Sequence, residues 1–135
     1  GHLPYLYIEI KNLKKEIWKR VVNRLTPLTQ SLMARRLGRI FKMLEKRIES
    51  AFVKATQQRG GLCLKFTSPS MTGVPDRLVL LPEGHMGFVE MQSPGKHPRP
   101  LQIQSLSQLK QLGYQVFVCD QFEQIGGMLD AIQAA

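Results

Sequence analysis

From Glu9 to Leu25, Ile10, Leu13, Ile17, Val21 and Leu25 recur at steps of three and four, with Lys and Arg between them. That spacing predicts a helix with one apolar stripe and a basic opposite face. Residues 3–8 are apolar and aromatic but too few to assign. Thr26-Pro27 ends the helix, and Thr29 or Ser31 is placed to cap a second basic helix through Leu32, Arg35, Arg36, Arg39, Ile40 and Lys42. Gly38 weakens that helix by roughly 1 kcal/mol without forbidding it. From Met43 the pattern changes. Leu44, Ile48, Ala51, Phe52 and Ala55 form a core-facing stripe, Glu45 and Glu49 lie one turn apart on a neighbouring face, and Gly60-Gly61 stops the helix.

Beyond it, Leu62 to Phe66 reads as a short strand and residues 67–75 as a loop delivering Asp76. Arg77 to Leu81 and Met86 to Met91 are the arms of a hairpin around Pro82-Glu83-Gly84-His85. Residues 93–100 are a basic, proline-rich loop. Pro100 to Leu112 is helical and stops at Gly113. Gln115 to Cys119 is a last strand, reached through a helix and so able to pair in parallel. A weaker helix over 122–134 closes the chain. The order α-β-β-β-α-β-α predicts an α/β domain, a mixed sheet flanked by helices.

Composition adds an uneven charge. The 135 residues carry +9, but residues 1–42 hold ten of the 19 Lys/Arg and two of the ten acids, a net +8, which leaves +1 for residues 43–135. Residues 1–42 therefore read as a basic helical N-terminal extension and 43–135 as the domain proper. Such an extension attracts a polyanion, nucleic acid or acidic lipid. No apolar run is long enough to span a membrane. Cys63 and Cys119 sit in apolar runs and are expected to be buried thiols of a reducing compartment, and a cytoplasmic location follows, in a prokaryotic or phage-infected cell. His2, His85 and His97 match no zinc spacing.

The chemistry concentrates on residues 73–92. Asp76 opens one arm of the hairpin, Glu90 nearly ends the other, and Gln92 shares the face of Glu90. An acid within Phe88-Val89-Glu90-Met91 is costly unless partnered. Two acids with the Met91 carbonyl make an oxygen-rich site suited to Mg²⁺ or Mn²⁺, and Glu49 is placed to approach from the helix. The plain alternative is that Glu90 ends an exposed strand and Asp76 caps a turn. Arg77, Lys96, His97 and Arg99 ring the site and are candidates for phosphate contacts.

These residues also carry a resemblance. Gly60-Gly61, Gly73-Val74-Pro75-Asp76-Arg77, Phe88-Val89-Glu90-x-Gln92, Pro94-Gly95 and Pro98-Arg99-Pro100-Leu101-Gln102 together resemble the VRR-NUC domain, the virus-type replication-repair nuclease branch of the PD-(D/E)xK superfamily. The resemblance covers nearly all of residues 43–135. It implies a restriction-endonuclease-like core, divalent-metal hydrolysis of DNA, and a homodimer acting on branched or junction DNA. It assigns the helix acid to Glu49, the central aspartate to Asp76, the ExK acid to Glu90 and a downstream glutamine to Gln102. One position departs: Gln92 stands where the pattern has lysine. An amide can donate a hydrogen bond but carries no charge, so orientation of the attacking water and charge on the phosphorane are expected to suffer. Lys65, and more loosely Lys96, are the candidates to replace it. Two readings of the domain stay open, a metal-dependent DNA endonuclease and a non-catalytic DNA-binding protein of the same fold; a third class, a structural or membrane-surface protein, would rest on the basic helices alone.

Overall fold

The computed structural model describes residues 3–94 and 96–135, with side chains from Asn12 onward except that of Lys14. His2 and Gly95, both named above, lie outside the described residues. The chain divides into two compact units, Gly1–Ile40 and Phe41–Ala135.

The first unit holds α1 (Leu3–Val22) and the start of α2 (Pro27–Gln58). The turn between them is built by Thr26. Its Oγ1 accepts the Thr29 N–H at 3.3 Å and shares a 2.8 Å hydrogen bond with the Thr29 hydroxyl. Pro27 then supplies the first helical residue, where a missing N–H is no loss. The helix therefore starts ahead of Thr29 and Ser31, the caps expected from sequence. Gln30 Nε2 donates to the carbonyls of Val22 at 2.6 Å and Leu25 at 3.1 Å, satisfying acceptors left open where α1 ends. Gly38 does not interrupt α2, which runs for 32 residues. The good helix formers on either side outweigh the cost of one glycine.

The second unit is a four-stranded sheet in the order β1 (Leu62–Lys65), β2 (Arg77–Leu81), β3 (His85–Met91), β4 (Gln115–Cys119). The first two pairings are antiparallel, and β4 joins β3 in parallel after crossing through α3 (Pro100–Gln111). The α-β-β-β-α-β-α order expected from sequence is thus the order found, a mixed sheet with helices on both faces. Alternation along the strands sorts the two cores. Cys63, Val79, Leu81, Val89, Met91 and Cys119 face Ile48 and Phe52 of α2 and Ile125, Leu129 and Ile132 of α4 (Ile125–Ala134). Phe88 and Val116 face Leu106 and Leu109 of α3, with Phe66, Leu78 and Met86 at the margin. Phe52, Leu129 and Ile132 are fully enclosed, each contributing on the order of 2–3 kcal/mol by burial. Gly87 lets α4 approach: a Cβ there would lie 2.8 Å from two carbons of Ile132.

The β2–β3 hairpin turns through a 3-10 turn at Pro82–Gly84, with Glu83 and Gly84 both at positive φ. Leu78 pairs with Phe88 and Arg77 with Val89. Since Arg77 is opposite Val89, the residue before it meets the end of β3. That register delivers Asp76 to Glu90 and Met91.

Candidate active site

Asp76 is positioned twice over by backbone. Its carbonyl accepts the Phe66 N–H at 2.8 Å, which extends the β1–β2 ladder by one step. Its side chain reaches across the hairpin, where Oδ2 accepts the Met91 N–H at 2.8 Å. Before it, Gly73 has φ +77°, and a Cβ there would lie 3.0 Å from the Leu101 carbonyl oxygen and 3.1 Å from the Gln102 nitrogen. The loop therefore lies against the first turn of α3, where only glycine fits without strain. Ser105 Oγ donates to the Thr72 carbonyl at 2.7 Å and fastens the same contact.

Glu90 follows from the strand alternation that turns Phe88 toward α3. It is 1% exposed. Its carboxyl lies within hydrogen-bond reach of that of Asp76 and is pushed up to about 9. Burial is the main cause, followed by the hydrogen bond to Asp76, the charge of Asp76 and the charge of Glu45; the Met91 N–H acts in the opposite direction. Among the described residues, no cationic side chain contributes to that shift. Gln102 Nε2 donates to Glu90 Oε2 at 3.3 Å while its Oε1 accepts the Arg99 N–H at 2.9 Å, so the first turn of α3 holds the acid from above.

The sequence-derived candidates divide accordingly. Asp76, Glu90 and Gln102 meet. Met91 contributes its N–H, with its side chain buried in the core. Glu49 goes elsewhere: its Oε1 accepts from Arg77 Nε at 2.8 Å, and Arg77 Nη1 also donates to the Cys63 carbonyl at 3.2 Å. Both partners of that pair are largely shielded, and Arg77 is thereby occupied within the fold. Gln92 lies just past β3, half-buried, its N–H on the Cys119 carbonyl at 2.9 Å. Lys65 is exposed at the end of the edge strand β1, opposite Arg77. Lys96, His97 and Arg99 stand in the loop before α3, all three exposed to solvent. Neither Lys65 nor Lys96 figures among the groups acting on Glu90. Among the described residues, no group of three His, Cys, Asp or Glu is close enough to hold a metal ion by itself. Cys63 and Cys119 are free, buried thiols, both raised mainly by burial, Cys119 to about 11.

Two residues of the site were not evident from sequence. Glu45, one turn before Glu49 on α2, is the helix acid whose charge reaches Glu90. Periodicity shows both acids on one side of α2 without choosing between them. Ser93, 4% exposed, donates through Oγ to Glu45 Oε2 at 2.6 Å. It stands in a loop, with no pattern to mark it.

Comparison with known proteins places this geometry. No family profile matches the chain. The "Putative nuclease p44" of Acyrthosiphon pisum secondary endosymbiont phage 1 is 42% identical over 88 residues, which is 65% of this chain and 94% of that protein. A solved structure titled "VRR_NUC domain" superposes with a TM-score of 0.61 at 30% identity, covering 64% of this chain and 95% of its own. The chain belongs to the VRR-NUC family. The mixed sheet flanked by helices is that of a restriction-endonuclease-like fold, and family membership brings with it a nuclease-like role on DNA. In this VRR-NUC protein no described helix is long and apolar enough to cross a membrane.

Proposed function

We propose that this VRR-NUC protein is a divalent-metal-dependent, structure-specific DNA endonuclease that hydrolyses phosphodiester bonds of branched or junction DNA, with turnover lowered by Gln92. The observation that carries the reading is the Asp76–Glu90 pair, an exposed and a buried carboxyl within hydrogen-bond reach of each other, with no cationic side chain among the described residues acting on Glu90. Hard oxygen donors under mutual repulsion suit Mg²⁺ or Mn²⁺. The fit is to Asp76, Glu90 and the Met91 carbonyl. With Glu49 engaged by Arg77, the contribution of α2 to the ion falls to Glu45, and Glu49 supports the site through Arg77. A bound ion of this kind polarises a phosphodiester and acidifies a water.

The chain's own groups do the rest. The Met91 N–H and the Glu90 carboxyl fix Asp76, and Gln102 fixes Glu90. Gln92 can orient a water by hydrogen bonding, without supplying a base or a positive charge. Exposed Lys96, His97 and Arg99 offer phosphate contacts beside the site, and the basic extension 1–42 adds non-specific attraction to DNA. A homodimer of the 43–135 domain would set two sites against opposed strands. The exposed Leu62 and Leu64, on the side of β1 away from Cys63, supply apolar surface for it.

A single comparison tests the reading: cleavage of a four-way junction and of linear duplex in Mn²⁺ by the native chain and by Gln92→Lys. The native chain is expected to cut the junction slowly, and Gln92→Lys roughly 100-fold or more faster, the scale of restoring one transition-state charge contact. Gln92 also favours the second reading, a non-catalytic binder of the same DNA. Retention of the junction on a gel with no cleavage by either protein would establish that reading and reject the first.

A further inference from the structure

Resting on the proposed site, we infer that Ser93 is a positioning residue that fixes the orientation of the Glu45 carboxylate and so sets the affinity of the site for a divalent cation. Glu45 stands on a helix, and nothing in α2 itself determines which way its carboxylate turns. Ser93 does. Its hydroxyl is buried, 4% exposed, and donates to Glu45 Oε2 at 2.6 Å. The serine is anchored in turn. The preceding residue, Gln92, is tied to β4 by its N–H on the Cys119 carbonyl at 2.9 Å. The Ser93 carbonyl accepts the Lys96 N–H at 3.0 Å, which closes the turn after it. The hydroxyl therefore has a position set by the sheet, and Glu45 takes its orientation from the sheet as well as from its helix. One oxygen is occupied by a neutral donor, which leaves the other oxygen for a ligand.

One turn further along α2, Arg77 grips Glu49 from β2 at 2.8 Å. Two successive turns of the helix are thus held to the sheet side by polar contacts, Glu49 by an ion pair with Arg77 of β2 and Glu45 by the neutral hydroxyl of Ser93 in the loop after β3. That asymmetry is what assigns Glu45 to the site and Glu49 to the scaffold.

The test is a double-mutant cycle read as Mn²⁺ affinity of the full chain by calorimetry, with no substrate present. Ser93→Ala is expected to weaken binding about tenfold, the lower end of what loss of an outer-shell partner costs. In a Glu45→Gln background the same change is expected to have no further effect, because the residue it orients is already without charge. Ser93→Ala binding within twofold of the native chain, or an equal loss in both backgrounds, overturns the inference. If Ser93→Ala does not fold, Ser93→Cys, close in volume and a weak donor, reads the same loss. A native chain that binds no Mn²⁺ rejects the nuclease reading and this inference together; a native chain that binds while Ser93→Ala leaves affinity unchanged rejects the inference alone.

Discussion

Burial and the neighbouring Asp76 carboxyl favour the protonated form of Glu90 in the folded chain. Its carboxyl is pushed to about 9 by burial and by Asp76, against an ordinary value near 4.5. Between those values the folded state binds more protons than the unfolded one, so stability of the metal-free chain falls as pH rises from about 4.5 to about 9. Glu90→Gln removes that dependence. Its thermal midpoint is expected to exceed that of the native chain at pH 8 by roughly 4 °C or more, the scale of 1 kcal/mol in a domain this size. At pH 4.5 the two should nearly coincide. A gap that fails to widen between pH 5 and 8 would contradict the assigned proton. The same proton must leave when a cation enters. Mn²⁺ affinity of the native chain is accordingly expected to climb with pH, approaching about tenfold per unit below pH 9, and calorimetry in buffers of different protonation enthalpy reads the release directly. An affinity flat from pH 6 to 8 would place the ion elsewhere.

Among elements, the β2–β3 hairpin was the most legible. Its apolar arms, its Pro-Glu-Gly turn and the acid at each mouth fix a register in which Asp76 must meet the end of β3. The helix acids were not legible in the same way. Glu45 and Glu49 share one side of α2, and their different partners, Ser93 and Arg77, come from distant parts of the sequence. The role of Gly73 became physical only once α3 was seen against it. A side chain there meets both a positive φ and the backbone of Leu101 and Gln102. Gly73→Ala should cost about 1–3 kcal/mol of stability, measured by urea denaturation, and should weaken Mn²⁺ binding by shifting Asp76. A variant as stable as the native chain would mean that the loop is free to move away from α3.

For the molecule as a whole, charge and chemistry are divided between different parts of the sequence. Residues 1–42 carry +8 and residues 43–135 only +1, while the carboxyl site falls wholly within the second unit. Removing residues 1–42 should therefore lower DNA affinity chiefly through its salt dependence. The slope of log K against log salt is expected to shrink by about 2 or more, at roughly 0.9 for each phosphate no longer neutralised. Mn²⁺ affinity should be unchanged. An unaltered slope would show that the basic helices do not meet DNA.

The parallel pairing of β4 with β3 has a consequence for the order in which the site assembles. The β2–β3 hairpin closes over a turn of three residues, whereas β4 joins only after the chain has passed through α3. Loop-closure entropy favours the first pairing over the second. Asp76 and Glu90 are thus brought together early, while Gln92 and Ser93, which rely on Cys119 of β4, are locked late. Val79→Ala in the hairpin should mainly slow folding, and Val116→Ala in β4 should mainly hasten unfolding. The carboxyl pair would then be inherited from the hairpin, and the orientation of Glu45 from the closing strand.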